Sequence, residues 1–412
     1  MSDNRESLKL RKIRFVYKGA EQEGTLIHEN SGLLTIKLKS GYNIVAEKGA
    51  VEIKEESLEE APQARSSKDT FIGSGPGKVT IVATGGTISS RVDYSTGAVT
   101  PSNDISFLKS TVTDLERRFT VELESRDNIL SENMTPEKWV NIVRWVKEGL
   151  KKSHGVIVSH GTDTMSYTAS AVSFMLEKQS GPVIFVGSQR SPDRPSSDAF
   201  TNIEAAIHFA SAEIGDVGIS MHSGNSDNKI SLLRATRSRK MHSSRRDAFH
   251  SIGEEPMAFY SDGSVVINRL SKRPDDETVI NDRLDSSVGL MYFHPSLSPE
   301  DLMNYSENKK AVILMGTGLG HAADRLIGPI REMTREGKQI VMTTQCISGT
   351  TNLNVYSTGR KLLDAGVLEM GNVVPEIAYV KAMYVLANYD FNDFGKIMKT
   401  NLRGELLTRE EL

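Results

Sequence analysis

The sequence contains a single cysteine, Cys346, among its 412 residues. One cysteine cannot form an internal disulfide, and it is too few for a cysteine-rich zinc site. This content is typical of a reducing compartment, so we expect a cytoplasmic location. No apolar run approaches the ~18–20 residues of a transmembrane helix, and residues 1–14 lack a signal-peptide type of apolar stretch. We therefore predict a protein that makes no membrane contact.

The chain also has little excess of charge of either sign. Lysine and arginine number 50 against 53 for aspartate and glutamate, a formal net charge of -3. A nucleic-acid or membrane contact would thus have to come from a local patch. The nine histidines show no metal-ligand spacing, which predicts that no metal is bound. With 38% hydrophobic residues the chain can bury a core, and its length predicts two or three domains.

The first part of the chain alternates apolar and polar residues over short segments. Apolar residues recur with period two at 13, 15 and 17, at 34, 36 and 38, and at 51 and 53. This period predicts half-buried strands, and Lys18-Gly19 is one of the turns between them. We predict a small β-barrel over residues 1–56. An acidic segment with proline, serine and glycine then predicts a linker over 57–77.

The remainder alternates apolar strands with amphipathic helices, which is typical of an α/β fold with a doubly wound parallel sheet. We expect a larger domain over 78–285 and a smaller α/β domain over 286–412. Within the larger domain, Thr135-Pro136-Glu137 is a helix start, and Asp262-Gly263 turns a hairpin over 258–267. The predicted strands are 79–83, 156–158, 183–186 and 217–221, then 288–293, 311–315 and 339–343; a long final helix begins near Pro375.

Three polar, glycine-containing segments follow predicted strands directly. They are TGGTI at 84–88, SHGTDT at 159–164 and GSQR at 187–190. In open α/β sheets, ligands bind beyond the carboxyl ends of the strands, so we expect these loops to meet in one crevice. Glycines allow close approach of the backbone and leave N–H groups that can hold an oxyanion.

Two of these loops carry a threonine hydroxyl, which is a weak nucleophile without a base or an activating charge. Asp163 adjoins Thr162, and a lysine would be a suitable third member of the group. The segment RATRSRKMH at 234–242 offers Lys240, although spacing alone does not select it over Arg237 or Arg239. An arginine stays protonated and cannot act as the base.

Each of these signals also has a plainer interpretation. A Gly-Gly after a strand is commonly a tight turn, and residues 84–88 lack the spacing of a phosphate loop. His160 could belong to a Ser-His-Asp triad, but we favour a role in holding its loop by hydrogen bonds. The basic run 234–246 is usually a solvated or ion-paired face, with RNA contact as the alternative. Cys346 is expected to be a small buried residue.

The combination of TGGTI at 84–88 with SHGTDT at 159–164 resembles the bacterial-type L-asparaginase family, over residues from Lys78 onward. The segment RATRSRKMHSSRRDAF at 234–249 resembles the lysine segment of that family and places the family lysine at Lys240. The resemblance implies that Thr87 is the nucleophile that forms an acyl-enzyme. It implies further that Thr162, Asp163 and Lys240 form a proton-relay group.

The same resemblance implies the residues that bind substrate. Asp163 would hold the α-amino group of the substrate, and Ser131, in LSENM at 130–134, would hold the α-carboxylate. Tyr94 matches a mobile-loop tyrosine near the nucleophile. Gly86 and Gly161, from the two threonine loops, would line the same site.

The amino-terminal unit, the linker and the segments SSRVDYSTGAV (89–99) and KMHSSRRDAF (240–249) resemble a finer family over the whole chain, the GatD subunits of the archaeal glutamyl-tRNA(Gln) amidotransferases. The resemblance implies release of ammonia from glutamine or asparagine by this chain. It implies a partner, GatE, that binds Glu-tRNA(Gln), uses ATP with Mg²⁺ and accepts the ammonia. The expected assembly is a heterotetramer (α2β2) built on a dimer of this chain, with no cofactor in the chain itself.

Two other functions remain open at this point. One is a free-standing asparaginase or glutaminase, in which the amino-terminal unit serves stability or assembly. The other is a non-catalytic RNA-binding or scaffold protein, which the basic run and the barrel favour. The presence of Thr87, Thr162, Asp163 and Lys240 together argues against a chain without catalytic activity.

Overall fold

We describe the protein from a computed structural model. The described residues are 9–30, 32–38, 43–60, 70–86, 90–92, 99–101, 115, 117–192, 194, 196–268 and 271–410. None of the helices in these ranges is both long enough and apolar enough to cross a membrane.

An antiparallel sheet, five-stranded in the described residues, forms the first part of the chain. Its strands are β1 (Lys9–Tyr17), β2 (Ala20–Asn30), β3 (Leu33–Leu38), β4 (Asn43–Glu47) and β5 (Val51–Glu60), in the order β4-β3-β2-β1-β5. Only a 3-10 turn, Lys48–Ala50, joins β4 to β5, although these strands lie at opposite edges. Since so short a segment reaches about 14 Å at most, the sheet must curl until its edges come close. This is the predicted small barrel.

The barrel has a hydrophobic core of its own. Alternate residues of its strands point inward, as the period of two predicts. The buried members are Ile13, Phe15, Leu26, Leu34, Ile36, Ala46 and Val51. The predicted turn is present too, because Lys18 and Gly19 both have positive φ (50° and 77°) between β1 and β2.

A mixed sheet, nine-stranded in the described ranges, carries the larger part of the fold, in the order β19-β18-β15-β14-β13-β11-β7-β10-β6. Short antiparallel pairs (β8–β9, β12–β20 and β16–β17) accompany it. The strands are β6 (Thr70–Ile72), β7 (Gly77–Gly85), β8 (Ser90–Val92), β9 (Val99–Pro101), β10 (Phe119–Ile129), β11 (Gly155–Ser159), β12 (Leu176–Lys178), β13 (Val183–Val186), β14 (Val217–His222), β15 (Ile230–Arg234), β16 (Ser238–Lys240), β17 (Phe249–Ser251), β18 (Ala258–Ser261), β19 (Ser264–Ile267) and β20 (Val279–Ile280).

The centre of this sheet is parallel, as expected, but its edges are not. The strands β14, β13, β11, β7 and β10 run parallel to one another. At the edges, β15, β18, β19 and β6 are antiparallel. The predicted hairpin supplies β18 and β19, and its turn residues Asp262 and Gly263 have φ of 50° and 75°. Positive φ at both central positions suits the right-handed twist of the flanking strands.

The structure differs from the predicted linker at both ends of that segment. β5 continues to Glu60, which pairs with Lys9 of β1, and β6 pairs with β10. The acidic sequence of β5 suits a strand at the edge of a sheet, where charged side chains reach water. Residues 52–58 are indeed exposed. The predicted domain boundaries at 285/286 and within 57–77 stay predictions, and residues 61–69 lie outside the described residues.

Helices cover both faces of the large sheet. They are α1 (Pro136–Leu150), α2 (Met165–Met175) and α3 (Ala199–Ala210). Alternate residues of β11 separate into two cores: Val156 and Val158 pack with α1 and α2, whereas Ile157 packs with α3. The two-sided burial explains why the central strands are apolar without alternation. α1 begins as predicted, with extended Thr135 before Pro136 at the first helical position.

A smaller parallel sheet follows. Its strands are β21 (Val288–Tyr292), β22 (Ala311–Gly316), β23 (Gln339–Thr344) and β24 (Leu368–Glu369), in that order across the sheet. The helices of this part are α4 (Pro299–Ser306), α5 (Ile327–Arg335), α6 (Ser357–Asp364), α7 (Pro375–Asn388) and α8 (Phe394–Met398). Ser298 and Asp301 form a capping box at the start of α4. α7 begins at the predicted residue, although α8 rather than α7 is the last helix in the described residues.

Candidate active site

Four neighbouring strands of the large sheet end at the same edge. β13, β11, β7 and β10 are adjacent and parallel, so the segments that leave them start side by side. Three of these segments are the loops predicted to converge, and the fourth contains Ser131, directly after β10. The predicted convergence is therefore observed.

The loops touch through their backbones. Thr84 Oγ1 donates a hydrogen bond to the carbonyl oxygen of Ser159 at 2.7 Å. A Cβ atom on Gly86 would lie 2.4 Å from the nitrogen of Gly161, and one on Gly161 would lie 2.6 Å from Cβ of Ser131. Gly86 also has a φ of +86°, a conformation that costs other residues energy. Both positions therefore need glycine for the threonine loops to meet.

Lys240 links the ends of two side chains in the second loop. Its Nζ donates to Thr162 Oγ1 at 2.8 Å and to Asp163 Oδ1 at 2.7 Å. The lysine side chain is 14% exposed, whereas that of Asp163 is 67% exposed. The pair thus has an inner member that contacts the hydroxyl and an outer member that a ligand can reach.

The structure distinguishes the lysine from the arginines that the spacing left open. Arg237 is fully buried and donates from Nε to the carbonyl oxygen of Ile252 at 2.7 Å. Arg239 forms an ion pair with Glu376 at 3.0 Å. Among these three basic residues, Lys240 is the one whose side chain contacts Thr162, and the β16–β17 ladder, in which Lys240 lies, holds its backbone.

Ser131 contacts the same carboxylate from the other side. Its Oγ donates to Asp163 Oδ2 at 3.0 Å, and its own carbonyl oxygen accepts a hydrogen bond from Thr164 Oγ1 at 2.7 Å. Ser131 is buried and begins a 3-10 turn, Ser131–Asn133. Thr164 had no role in the sequence interpretation, although it belongs to the SHGTDT motif; in the structure it fixes the backbone of Ser131.

Opposing effects act on the carboxylate of Asp163. Partial burial raises its pKa, but the hydrogen bond and charge of Lys240 and the hydrogen bond from Ser131 lower it by more. The net result is a pKa below the ordinary value of 3.8. Asp163 is therefore an anion throughout the neutral range and can attract the ammonium group of an amino acid.

His160 lies behind the loop and is fully buried. Its Nδ1 lies 2.7 Å from the carbonyl oxygen of Gly161, so that nitrogen must carry the proton and donate it. Burial lowers the pKa of His160 to about 4, against a small opposing effect of this hydrogen bond. Its Nε2 has no hydrogen-bond partner among the described residues. This geometry fits the role of holding the loop and gives no sign of a Ser-His-Asp triad.

The structure brings together most of the predicted site residues. Those in contact or adjacent are Gly86, Ser131, Gly161, Thr162, Asp163 and Lys240. The predicted nucleophile, Thr87, and the predicted loop tyrosine, Tyr94, lie outside the described residues. The individual roles of all eight residues stay predictions.

Two further expectations can be compared with the structure. The basic run is ion-paired and partly buried: Arg234 pairs with Glu254 at 2.9 Å, and Arg246 pairs with Asp227 at 2.8 Å. Such pairing leaves less positive charge for RNA, as the plainer interpretation predicted. The expectation that Cys346 is buried was wrong, because this thiol is exposed. It lies two residues after the end of β23, in a loop whose residues 346–350 are all exposed.

The chemistry available at the site is that of proton transfer and electrostatic binding. The described residues contain no group of three or more His, Cys, Asp or Glu that could hold a metal ion. The functional groups present are a lysine, a carboxylate and two hydroxyls within hydrogen-bond reach of one another. This set can pass a proton between a hydroxyl and an amine and can hold an α-amino acid by its ammonium group.

Comparison with known proteins defines the class. Residues 78–273 match the family model described as Asparaginase, N-terminal, and residues 287–398 match the Glutaminase/Asparaginase C-terminal domain. The L-asparaginase from Thermococcus kodakarensis superposes with a TM-score of 0.74 and 31% identity, covering 80% of this chain and 99% of that one. L-asparaginase I from Vibrio cholerae gives 0.69 and 29%, with coverage of 80% and 99%. The chain belongs to the asparaginase family.

A finer family covers the amino-terminal barrel as well. The GatD subunit of the glutamyl-tRNA(Gln) amidotransferase of Thermoplasma volcanium is 48% identical over 97% of this chain and 98% of its own length. GatD of Thermoplasma acidophilum is also 48% identical, over 96% of each chain. That of Archaeoglobus fulgidus is 39% identical over 97% and 96%. The chain is a member of this GatD family.

Proposed function

We propose that this chain is the glutamine-hydrolysing component of a tRNA-dependent amidotransferase that converts Glu-tRNA(Gln) to Gln-tRNA(Gln). The observation that carries the chemistry is the contact of Lys240 Nζ with both Thr162 Oγ1 and Asp163 Oδ1. Full-length similarity to GatD relatives, barrel included, supports the choice of pathway over that of a free amidohydrolase. The L-asparaginases resemble 80% of the chain.

The substrate is held as an amino acid. The anionic Asp163 takes the α-ammonium group, and Ser131, which already donates to Asp163, lies beside the place for the α-carboxylate. These two contacts direct the side-chain amide towards the junction of the two threonine loops. Backbone N–H groups of the threonine loops are expected to stabilise the developing oxyanion, and this is the largest expected contribution to the rate.

The reaction proceeds by two acyl transfers. Thr87 Oγ attacks the amide carbon and forms a C–O bond, while its hydroxyl proton passes by way of Thr162 Oγ1 to Lys240 Nζ, which accepts it in the neutral amine form of the lysine. The tetrahedral intermediate collapses, the C–N bond breaks, and the leaving nitrogen takes the proton back as NH₃. Water then attacks the ester, the proton follows the reverse route, and glutamate leaves as Thr87 regains its hydroxyl proton.

Released ammonia is the product that the complex needs. Ammonia is protonated in neutral water and then no longer acts as a nucleophile, so direct transfer to a partner protects it. The partner would be GatE, which binds Glu-tRNA(Gln) and activates its glutamate with ATP and Mg²⁺. We propose an α2β2 complex in the cytoplasm, and the single cysteine of this chain is consistent with that compartment.

The test compares two nitrogen sources in the assembled complex. Wild type should amidate Glu-tRNA(Gln) with either glutamine or ammonium chloride. Lys240→Met should lose amidation from glutamine and keep amidation from ammonium chloride, because the partner site is intact. Lys396→Met, which removes an exposed lysine of α8, is the matched control and should behave as wild type.

Two results would contradict the proposal in different ways. Undiminished glutamine-dependent amidation by Lys240→Met would remove the proton-relay role. Fast glutamine or asparagine hydrolysis by the purified chain alone, with no amidation when GatE and the tRNA are added, would identify a free-standing amidohydrolase.

A further inference from the structure

A chain of buried hydrogen bonds lies behind the third loop of the site, outside the residues assigned to the chemistry. The loop segment 187–190 packs directly on Thr162. A Cβ atom on Gly187 would lie 2.7 Å from the methyl carbon of Thr162 and 3.0 Å from the carbonyl oxygen of His160. The backbone at residue 187 thus packs against the methyl group of Thr162. This packing limits rotation of the Thr162 side chain, which would turn Oγ1 away from Lys240.

The position of this segment depends on Asp198, at the start of α3. Asp198 is fully buried, and its carboxylate accepts hydrogen bonds from the backbone N–H of Gln189 (3.1 and 2.9 Å) and of Arg190 (3.0 Å). Asn202, one helical turn later, donates from Nδ2 to Asp198 Oδ2 at 3.2 Å and to the carbonyl oxygen of Gly187 at 3.0 Å. The side chains of Asp198 and Asn202 therefore hold the backbone of residues 187–190 in place by hydrogen bonds.

The amide of Asn202 can serve this purpose in one orientation only. Its two contacts on the segment side are acceptors, a carboxylate and a carbonyl, so the NH₂ group must face them. Its Oδ1 then faces His222 Nδ1 at 2.7 Å, and that nitrogen must carry a proton. His222 Nδ1 thus donates its proton to the amide that holds Gly187, and this hydrogen bond supports the orientation that the two acceptors require.

His222 is itself fixed from the outer side. It is 1% exposed, and its Nε2 lies 2.9 Å from Asp227 Oδ1. The hydrogen bond from His222 lowers the pKa of Asp227; burial opposes it, and the charge of Arg246 adds to it. Arg246 donates to Asp227 Oδ1 at 2.8 Å and to the carbonyl oxygen of Ser196 at 2.5 Å. Arg246 comes from the segment that carries Lys240, so the chain of contacts joins both sides of the site.

We propose that His222 is a positioning residue for glutamine hydrolysis, acting through Asn202 and Asp198 on the backbone that holds Thr162. It touches neither substrate nor reacting atoms. The inference rests on the proposed function for its activity readout, and it makes a separate prediction for the backbone of residues 189–190.

Two amide variants separate the two nitrogens of the imidazole. In His222→Asn the amide nitrogen lies near the place of Nδ1 and can donate to Asn202, whereas in His222→Gln it lies near the place of Nε2 and reaches Asp227 instead. We expect kcat of His222→Asn to stay within about threefold of wild type. We expect His222→Gln and His222→Leu to lose about tenfold or more in kcat, with KM within about twofold, since small misplacement of a catalytic group is costly.

Hydrogen exchange supplies a readout that does not depend on activity. The N–H groups of Gln189 and Arg190 should exchange faster in His222→Gln and His222→Leu than in wild type and His222→Asn. The control is His208→Leu, which removes a partly buried imidazole from α3. Its ring contacts Phe119 and Tyr260, and the variant should change neither readout.

If the N–H groups of residues 189–190 exchange at the wild-type rate in all His222 variants, the proposal is overturned, and this holds whether or not the protein hydrolyses glutamine. Higher kcat in His222→Gln than in His222→Asn would overturn it as well, because the link through Asp227 would then be the one that matters. If wild type hydrolyses no amide, the proposed function fails, while the exchange pattern still decides the positioning of the segment.

Discussion

Two lysine–carboxylate pairs of this protein are chemically alike and differ in their surroundings. Lys240 lies 2.7 Å from Asp163, and Lys381 lies 2.5 Å from Glu405. The first pair is 14% and 67% exposed, whereas both members of the second are completely buried. Their comparison separates what an ion pair does for stability from what it does for chemistry.

The buried pair has its hydrogen-bonding capacity filled by the protein. Lys381 Nζ donates to Glu405 and to the carbonyl oxygens of Met398 (2.8 Å) and Thr400 (2.6 Å). Glu405 also accepts from the backbone N–H of Leu402 at 3.0 Å. Burial lowers the pKa of Lys381, and Glu405 opposes that shift. This pair ties the segment after α8 to α7 and leaves nothing for a ligand.

The pair of Lys240 and Asp163, called the open pair from here on, does not have all of its hydrogen bonds filled by the described residues. Lys240 Nζ contacts two oxygens among the described residues, which leaves one of its three N–H groups unused there. One of those oxygens is a hydroxyl that can itself gain or lose a proton. The presence of a lysine beside a carboxylate therefore says little about function, whereas access and an adjoining hydroxyl say much.

The largest expected effect is on catalysis, from the open pair. Lys240→Met should lower kcat for glutamine hydrolysis by about 10³-fold, within the range for loss of general acid–base catalysis. The apparent thermal midpoint should change little, because the pair is partly exposed. Steady-state ammonia release and thermal unfolding of the same preparation check both statements. A drop in midpoint with unchanged kcat would reverse the assignment of the two pairs.

The matching change in the buried pair should act on stability. Lys381→Met leaves Glu405 charged, buried and unpaired, which costs about 3–5 kcal/mol of unfolding free energy. The double variant Lys381→Met/Glu405→Leu should not recover it, because backbone groups such as Thr400 O and Leu402 N lose their partners too. Denaturant unfolding measures this, and kcat at low temperature should stay near that of wild type. Recovery of stability in the double variant would contradict the account.

An intermediate effect is expected on substrate binding. Asp163→Asn removes the charge that we propose attracts the α-ammonium group, and it should raise KM for glutamine about 10- to 100-fold, the range of a lost charged hydrogen bond. Glu405→Gln is the control from the buried pair and should leave KM unchanged. Initial rates over a range of glutamine concentrations decide it; a normal KM in Asp163→Asn would place the ammonium group elsewhere.

The smallest expected effect is the contribution of His160 and Asp163 to the pH dependence of kcat/KM. His160, with a pKa of about 4, is neutral between pH 5 and 8, and Asp163, with its pKa held below 3.8, is ionised there. Neither should produce a limb in kcat/KM over that range, so His160→Asn should keep the wild-type profile. A limb near pH 6–7 that disappears in His160→Asn would give the imidazole a catalytic role.

The same shifts set the sign of the stability changes in acid. The folded state binds fewer protons at His160 than the unfolded state between about pH 4 and 6.5, so this residue makes stability rise with pH there. Asp163 contributes stability that is present above its ordinary pKa and is lost as the pH falls below it. Its contribution is small, since solvent screens a side chain that is 67% exposed.

Much of the fold could be predicted from the sequence because burial on both faces leaves a simple pattern. Strands such as Val183–Val186 are apolar throughout, and loops after parallel strands meet at one edge by geometry. β10 was missed: it runs for 11 residues, FTVELESRDNI, with exposed charged positions among the buried ones. Its alternating Phe, Val and Leu were the available signal, and with it Ser131 would have been placed at the same edge.

Other features depend on tertiary contacts that no local pattern contains. Spacing could not separate Lys240 from Arg237, because inward and outward orientation depends on partners more than a hundred residues away, such as Asn372. The exposure of Cys346 depends on the path of a loop. The orientation of the Asn202 amide requires the positions of Gly187 and His222 together.

We propose that Lys240 and Asp163, together with the hydroxyl of Thr162, activate Thr87 to form an acyl-enzyme. The most direct measurement is mass spectrometry of the protein after exposure to a diazoketone analogue of glutamine. We expect a single adduct on the peptide that contains Thr87, formed in wild type and strongly reduced in Lys240→Met. An adduct on Thr162 or on the exposed Cys346, with Thr87 unmodified in an enzyme that hydrolyses glutamine, would contradict it.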